Sequence, residues 1–142
     1  MSKYDNMFME MAYVVSKQSK DTDHKVGAVI VKDDRIISMG WNGMPPGMPN
    51  ECKHDTGATR KEVIHAEANA IAYLARSTAS SEGATIYCTL SPCIDCAKLI
   101  LQAGITRVVF DEGYKDDSGK LFLLERLGHE RLSKLPPRED QN

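Results

Sequence analysis

The chain has 142 residues, 42% of them hydrophobic and 27% charged, and a formal net charge of −2. That length suits one domain around one core, and the composition excludes a disordered or fibrous chain. No block of like charge offers the basic face that a grip on long nucleic acid requires, so a small substrate is expected.

The N-terminus lacks the uninterrupted apolar segment and the small-residue cleavage site of a signal peptide. No stretch approaches the ~20 apolar residues of a membrane span. A cytoplasmic setting is therefore expected. Met7, Met11, Ala12 and Val15 mark a helical stripe that ends near Ser16, and its methionines read as adaptable core packing. Val26 to Val31 reads as a buried strand, and Arg35 to Trp41 as its hairpin partner across a turn at "KDD". The run from Asn42 to Glu51 is all breakers and must be loop. Residues 63–74, "VIHAEANAIAYL", read as a helix, and Ala84 to Leu90 as a strand.

In "SPCIDCAKLILQAG", Ser91 is placed as the N-cap of a helix, Pro92 as its first residue and Gly104 just past its end. "TRVVFD" is a further strand and "GKLFLLERLGH" a last helix, with a short edge strand around Leu132 to Leu135 and a frayed tail over 136–142. Strand–helix–strand units imply parallel pairing, and the opening hairpin makes the sheet mixed. The expected fold is α/β: one domain over residues 1–142, with three α/β/α layers around a mixed sheet of about five strands.

Chemistry concentrates at two places. His65 and Glu67 stand among apolar residues of the second helix, where a plain core helix gains nothing from an imidazole or a carboxylate. Taken alone, the pair reads more readily as a half-buried histidine and a first-turn glutamate favoured by the helix dipole. Cys93 and Cys96 lie three apart at a helix start, on one face, where free N–H groups favour the thiolate. A pair so spaced can be a redox dithiol, half of a structural zinc site, two inert thiols or part of a catalytic zinc site.

The last use gives His65 a purpose. A catalytic zinc takes three protein ligands and keeps a position for water, and His65, Cys93 and Cys96 make three. Glu67, about 200° from His65 around a regular helix, would reach that water from another side and shuttle its proton. Cys88 alternates inward on its strand and reads as packing.

"HAE" followed by "PCIDC" resembles the signature of the cytidine deaminase superfamily from about residue 5 to 130. "KVGAVIV", "GWNGMPPG" from Gly40 to Gly47, "HAEANAI", "TLSPCIDCAKLILQAGI" and "YKD" narrow the resemblance to deoxycytidylate (dCMP) deaminases. It implies one catalytic Zn²⁺ per chain on His65, Cys93 and Cys96, with Glu67 as the proton shuttle. The implied reaction is hydrolytic deamination of dCMP to dUMP and ammonia, which feeds thymidylate synthesis.

The same resemblance implies that Asn42 meets the sugar hydroxyl, the Ala66 N–H the pyrimidine carbonyl, Ser91 the amino group and Tyr114 the nucleotide face. Lys25 is the cation favoured for the 5′-phosphate. Asn42 also reads as a turn residue beside Gly43, and Trp41 as a core anchor. Many such enzymes are homo-hexamers activated by dCTP with Mg²⁺ and inhibited by dTTP, which makes Trp41 and Gly43 candidate regulatory contacts. Some carry a second, structural zinc; here the first of its positions reads "KDTDHK", without cysteine, leaving Cys52, His54 and His24 as candidates. Two other readings remain: a related zinc deaminase acting on another base, nucleoside or tRNA adenosine, and a zinc-stapled binding module in which Cys52 or His54 closes the metal.

Overall fold

The computed structural model describes residues 2–136. Residues 137–142, which hold all of the expected frayed tail but Pro136, lie outside them. The strands are β1 (Gly27–Lys32), β2 (Arg35–Trp41), β3 (Thr85–Leu90), β4 (Arg107–Glu112) and β5 (Leu132–Lys134), and they form one mixed sheet in the order β2-β1-β3-β4-β5. β1 pairs antiparallel with both β2 and β3, whereas β3–β4 and β4–β5 are parallel. Asp33 and Asp34 turn the hairpin at φ of 52° and 60°, the left-handed pair of a tight hairpin turn that aspartate tolerates.

Alternation along the central strands sorts the core onto two faces. Ala28, Ile30, Ile86, Cys88, Val108 and Phe110 pack on one face beneath α2 (Ala66–Leu74), α3 (Ile94–Gln102) and α4 (Ser118–Leu127). Val29, Val31, Tyr87 and Val109 pack on the other, against α1 (Asp5–Ser16). These are the three layers that the element order implied. No helix among the described residues is long and apolar enough to cross a membrane.

Three local expectations are corrected. Met7 and Met11 are 42% and 40% exposed; the buried stripe of α1 runs instead through Phe8, Met9, Ala12 and Val15, with Phe8 against the Tyr87 ring at 5.3 Å. Trp41 is no core anchor, being 38% exposed at the end of an edge strand. Both site helices start late. α2 begins at Ala66 because Ile64 is taken up by an antiparallel bridge to Gly43, and α3 begins at Ile94, with Cys93 and not Ser91 at its N-cap.

On the α1 face Asp5 is 2% exposed yet fully engaged. Tyr87 donates its hydroxyl to Oδ1 at 2.6 Å, and Arg107 donates to Oδ1 at 3.0 Å and to Oδ2 at 2.7 Å. Burial alone would raise the carboxyl pKa, but the Arg107 and Tyr87 hydrogen bonds outweigh it and hold Asp5 below the usual carboxylate value.

Candidate active site

The candidate site lies at the C-terminal end of β3, at the edge where open α/β sheets gather their ligands. His65 and Cys93 are the N-caps of α2 and α3, with extended backbones (φ −68°, ψ 156° and φ −71°, ψ 170°), and neither side chain caps its own helix. Both are thereby free to turn toward each other. His65 Nδ1 is 3.4 Å from Cys93 Sγ and 3.5 Å from Cys96 Sγ, and the three donor atoms all lie within 4.8 Å of one another. A nitrogen and a sulfur on one tetrahedral zinc stand about 3.6 Å apart, so this donor set fits that ion.

The Cys93 sulfur already favours a cation. Hydrogen bonds from Cys96 and from His65 push the Cys93 thiol down to about 4, while Cys96, as the donor to Cys93, is pushed up. The bond to Cys93 likewise raises His65. These shared protons are what a bound metal replaces.

Glu67 is 4% exposed in the first turn of α2. The 200° separation expected on a regular helix does not apply, because His65 precedes the helix; both side chains line the same cavity. Burial raises the Glu67 carboxyl pKa, against the lowering influence of its own backbone N–H, His65 and Cys96. Cys88 lies fully buried in the core, as expected, its thiol raised by burial and then by Glu67.

A cavity of about 150 Å³ opens over this group, walled by Asn42, Ala66, Ser91 and Tyr114 among others. Asn42, 7% exposed, accepts the Val26 N–H at 2.9 Å and donates to the His24 carbonyl at 2.8 Å. One amide N–H and one lone pair are left for a ligand. Ser91 Oγ accepts the Tyr114 N–H at 2.8 Å, which ties the Tyr114 loop to the cavity wall. Ala66 opens α2, where the N–H groups have no partner within the helix. Lys25 is exposed and does not line the cavity.

Sequence reasoning missed Asp21, Lys53 and Thr59, which do line it. They meet because residues 52–60 double back through a Lys53–Thr59 bridge, a pairing that only the Gly57 between them hinted at. Among the described residues His65, Cys93 and Cys96 form the one group able to hold a metal; Cys52, His54 and His24 form no second group. Cys52 is buried, and burial and then Asp21 raise its thiol pKa. Close by, Lys53 is ion-paired with Asp21 at 3.5 Å.

A second cavity, of about 320 Å³, lies beside the first and is lined by Met39, Trp41, Gly43, Asn69 and Tyr73 among others. Trp41 and Gly43 face it while Asn42, between them, faces the first cavity. Asn69 donates to the Trp41 carbonyl at 2.7 Å and secures this strand end to α2.

Residues 2–112 match the family model of the cytidine and deoxycytidylate deaminase zinc-binding region. The chain is 40% identical to the deoxycytidylate deaminase of Enterobacteria phage T4, with 86% of this chain and 85% of that protein covered. It is 36% identical to the deoxycytidylate deaminase of Homo sapiens, with 82% and 68% covered. The crystal structure of the dCMP deaminase of cyanophage S-TIM5, in complex with dCMP and dUMP, superposes with a TM-score of 0.89 at 37% identity, covering 95% of this chain and 99% of that one.

Proposed function

The chain belongs to the cytidine and deoxycytidylate deaminase zinc-binding family, and from that membership we propose that it hydrolyses dCMP to dUMP and ammonia. One observation carries the reading: a buried carboxyl, Glu67, stands with three metal-capable donors at a cavity walled by hydrogen-bonding groups of fixed orientation. His65, Cys93 and Cys96 would hold the zinc, which would supply a nucleophile at neutral pH by lowering the pKa of water to about 7.

The chain's own groups do the rest. Asn42 offers its remaining donor and acceptor to the sugar hydroxyl, and the Ala66 N–H holds the pyrimidine carbonyl. Ser91 meets the amino group, and Tyr114, tied to it, flanks the nucleotide. Glu67 moves the protons: it takes one from the attacking water and gives it to ring N3 as the oxygen–C4 bond forms, then takes the second from the hydroxyl now on C4 and passes it to the amino group as the C4–N bond breaks, leaving the uracil carbonyl and ammonia. Burial raises the pKa of Glu67, the direction that a group which must hold a proton during the reaction needs. The cavity fixes ring and water together, which removes much of the entropic barrier.

Regulation by dCTP with Mg²⁺ and by dTTP, and assembly as a homo-hexamer, belong to the same reading. The regulatory part is supported by the second cavity, where Trp41 and Gly43 are separated from the first by a single residue. The reading takes residues 1–142 as one deaminase domain, supported by five strands in one sheet. It sets the enzyme in the cytoplasm, where its four free cysteines stay reduced. A zinc-stapled binding module would need a fourth protein ligand, and Cys52 and His54 stand outside the metal-capable group.

The test is ammonia release from dCMP by the zinc-loaded protein, with deoxycytidine in parallel, each repeated with dCTP and with dTTP. Turnover of dCMP well above deoxycytidine is expected. A zinc-loaded protein silent on dCMP under every condition sinks the reading.

A further inference from the structure

We propose that Lys53 is the side chain that reads the 5′-phosphate and so separates nucleotide from nucleoside, an inference that rests on the dCMP reading above. Among the described residues lining the cavity, Lys53 is the one lysine or arginine. It arrives there through the doubled-back segment 52–60, in which the His54 N–H donates to the Ala58 carbonyl at 2.8 Å. Its side chain is 16% exposed, so its charge is only partly screened by water.

The three partners of the ammonium differ in kind. Thr59 Oγ1 accepts from it at 2.6 Å. Asp21, 3.5 Å away and 3% exposed, is a fixed anchor, since its Oδ1 also accepts the N–H groups of Asp23 and His24 at 2.8 and 3.0 Å. Asp23, at 3.6 Å, is 57% exposed, and a contact of that kind contributes little in water. An ammonium has three N–H donors. Thr59 takes one as a hydrogen bond, and the two carboxylates are longer ion-pair contacts; of these the exposed Asp23 is the one that a phosphate dianion displaces and a neutral 5′-hydroxyl does not.

Position agrees with charge. Asn42 bonds the His24 carbonyl, and Asp21 bonds the His24 amide. Asn42, His24, Asp21 and Lys53 thus stand together on the wall of one cavity, which puts the ammonium within the same pocket as the residue assigned to the sugar hydroxyl.

The experiment measures kcat and KM for dCMP and for deoxycytidine with wild type, Lys53→Met, Asp23→Asn and the double variant Asp21→Asn/Lys53→Met. In Lys53→Met the preference for dCMP over deoxycytidine, as a ratio of kcat/KM values, falls about 10- to 100-fold, the worth of a charge-assisted hydrogen bond, and falls through KM for dCMP. Asp23→Asn raises that preference, because it removes the competing carboxylate. The double variant avoids stranding Asp21 as a buried unpaired charge and loses the preference as the single one does. Retention of the preference in either lysine variant overturns the proposal. So does an Asp23→Asn preference equal to or below that of wild type, a result obtainable even if both lysine variants fail to fold. A wild-type protein that prefers deoxycytidine strikes at the dCMP reading instead, and so separates the two failures.

Discussion

On the α1 face of the sheet, Asp5 accepts hydrogen bonds from Tyr87 and from both Nη atoms of Arg107. On the other face, Glu67 is as deeply buried, but its neighbours are thiols and an imidazole whose influences oppose one another, His65 and Cys96 lowering its pKa and Cys93 raising it. Both networks bury a carboxylic acid, and they shift it in opposite directions: Asp5 down, because its partners are cationic or strong donors, and Glu67 up, because burial dominates. A buried polar group whose partners are all present stabilises the fold. One left short of partners holds capacity for a ligand and a proton, at a cost in stability.

This contrast can be broken by experiment. The largest effect is expected at Glu67: Glu67→Gln should lower kcat on dCMP by about a thousandfold, roughly 4 kcal/mol of barrier, while the thermal midpoint stays level or rises. Asp5→Ala should do the reverse. Leaving Arg107 without its anion should cost about 3 kcal/mol in denaturant unfolding, with kcat retained below the melting range. A Glu67 variant that unfolds, or an Asp5 variant that keeps its stability, would dissolve the distinction.

A smaller effect tests how the metal group is held in place. A Cβ on Gly119 of α4 would collide with the backbone of Pro92 and Cys93. Gly119→Ala should therefore weaken zinc retention about tenfold against a competing chelator, the range seen when the support of a ligand is disturbed. The smallest effect is in pH. Asp5 has a native pKa below its unfolded value, so its contribution is complete above about pH 4 and is lost as pH falls through that lower native value. The stability gap between wild type and Asp5→Asn should thus be widest near neutrality and close under acid, as urea titrations at several pH values would show.

The metal group was legible in the sequence because its chemistry is local: His65 with Glu67 and Cys93 with Cys96 each lie within a single turn's length of chain. The strands were legible for a similar reason, since alternation is a property of neighbours. What stayed hidden depends on distance along the chain. Asp5 and Arg107 are 102 positions apart, and no short-range pattern links them. Lys53 reaches the cavity only after residues 52–60 double back, which is why Lys25, next to a recognisable strand, was the more visible cation. The methionines of α1 misled for another reason: a Met at helical spacing satisfies two rival stripes, and Phe8 and Met9 decide between them by packing against a sheet the helix cannot see. The late start of α2 has the same origin, in the bridge between Ile64 and Gly43.

The end of β2 separates the two cavities by one residue, with Trp41 and Gly43 on one side and Asn42 on the other. The three residues are consecutive and joined by planar peptide units, so a shift of the backbone at Trp41 or Gly43 is passed on to Asn42. The Asn42 side-chain amide is in turn bonded to the His24 carbonyl and the Val26 N–H. An engineer who re-carves the larger cavity to accept a new molecule will therefore retune the smaller one in the same stroke, and the two cannot be optimised as separate projects.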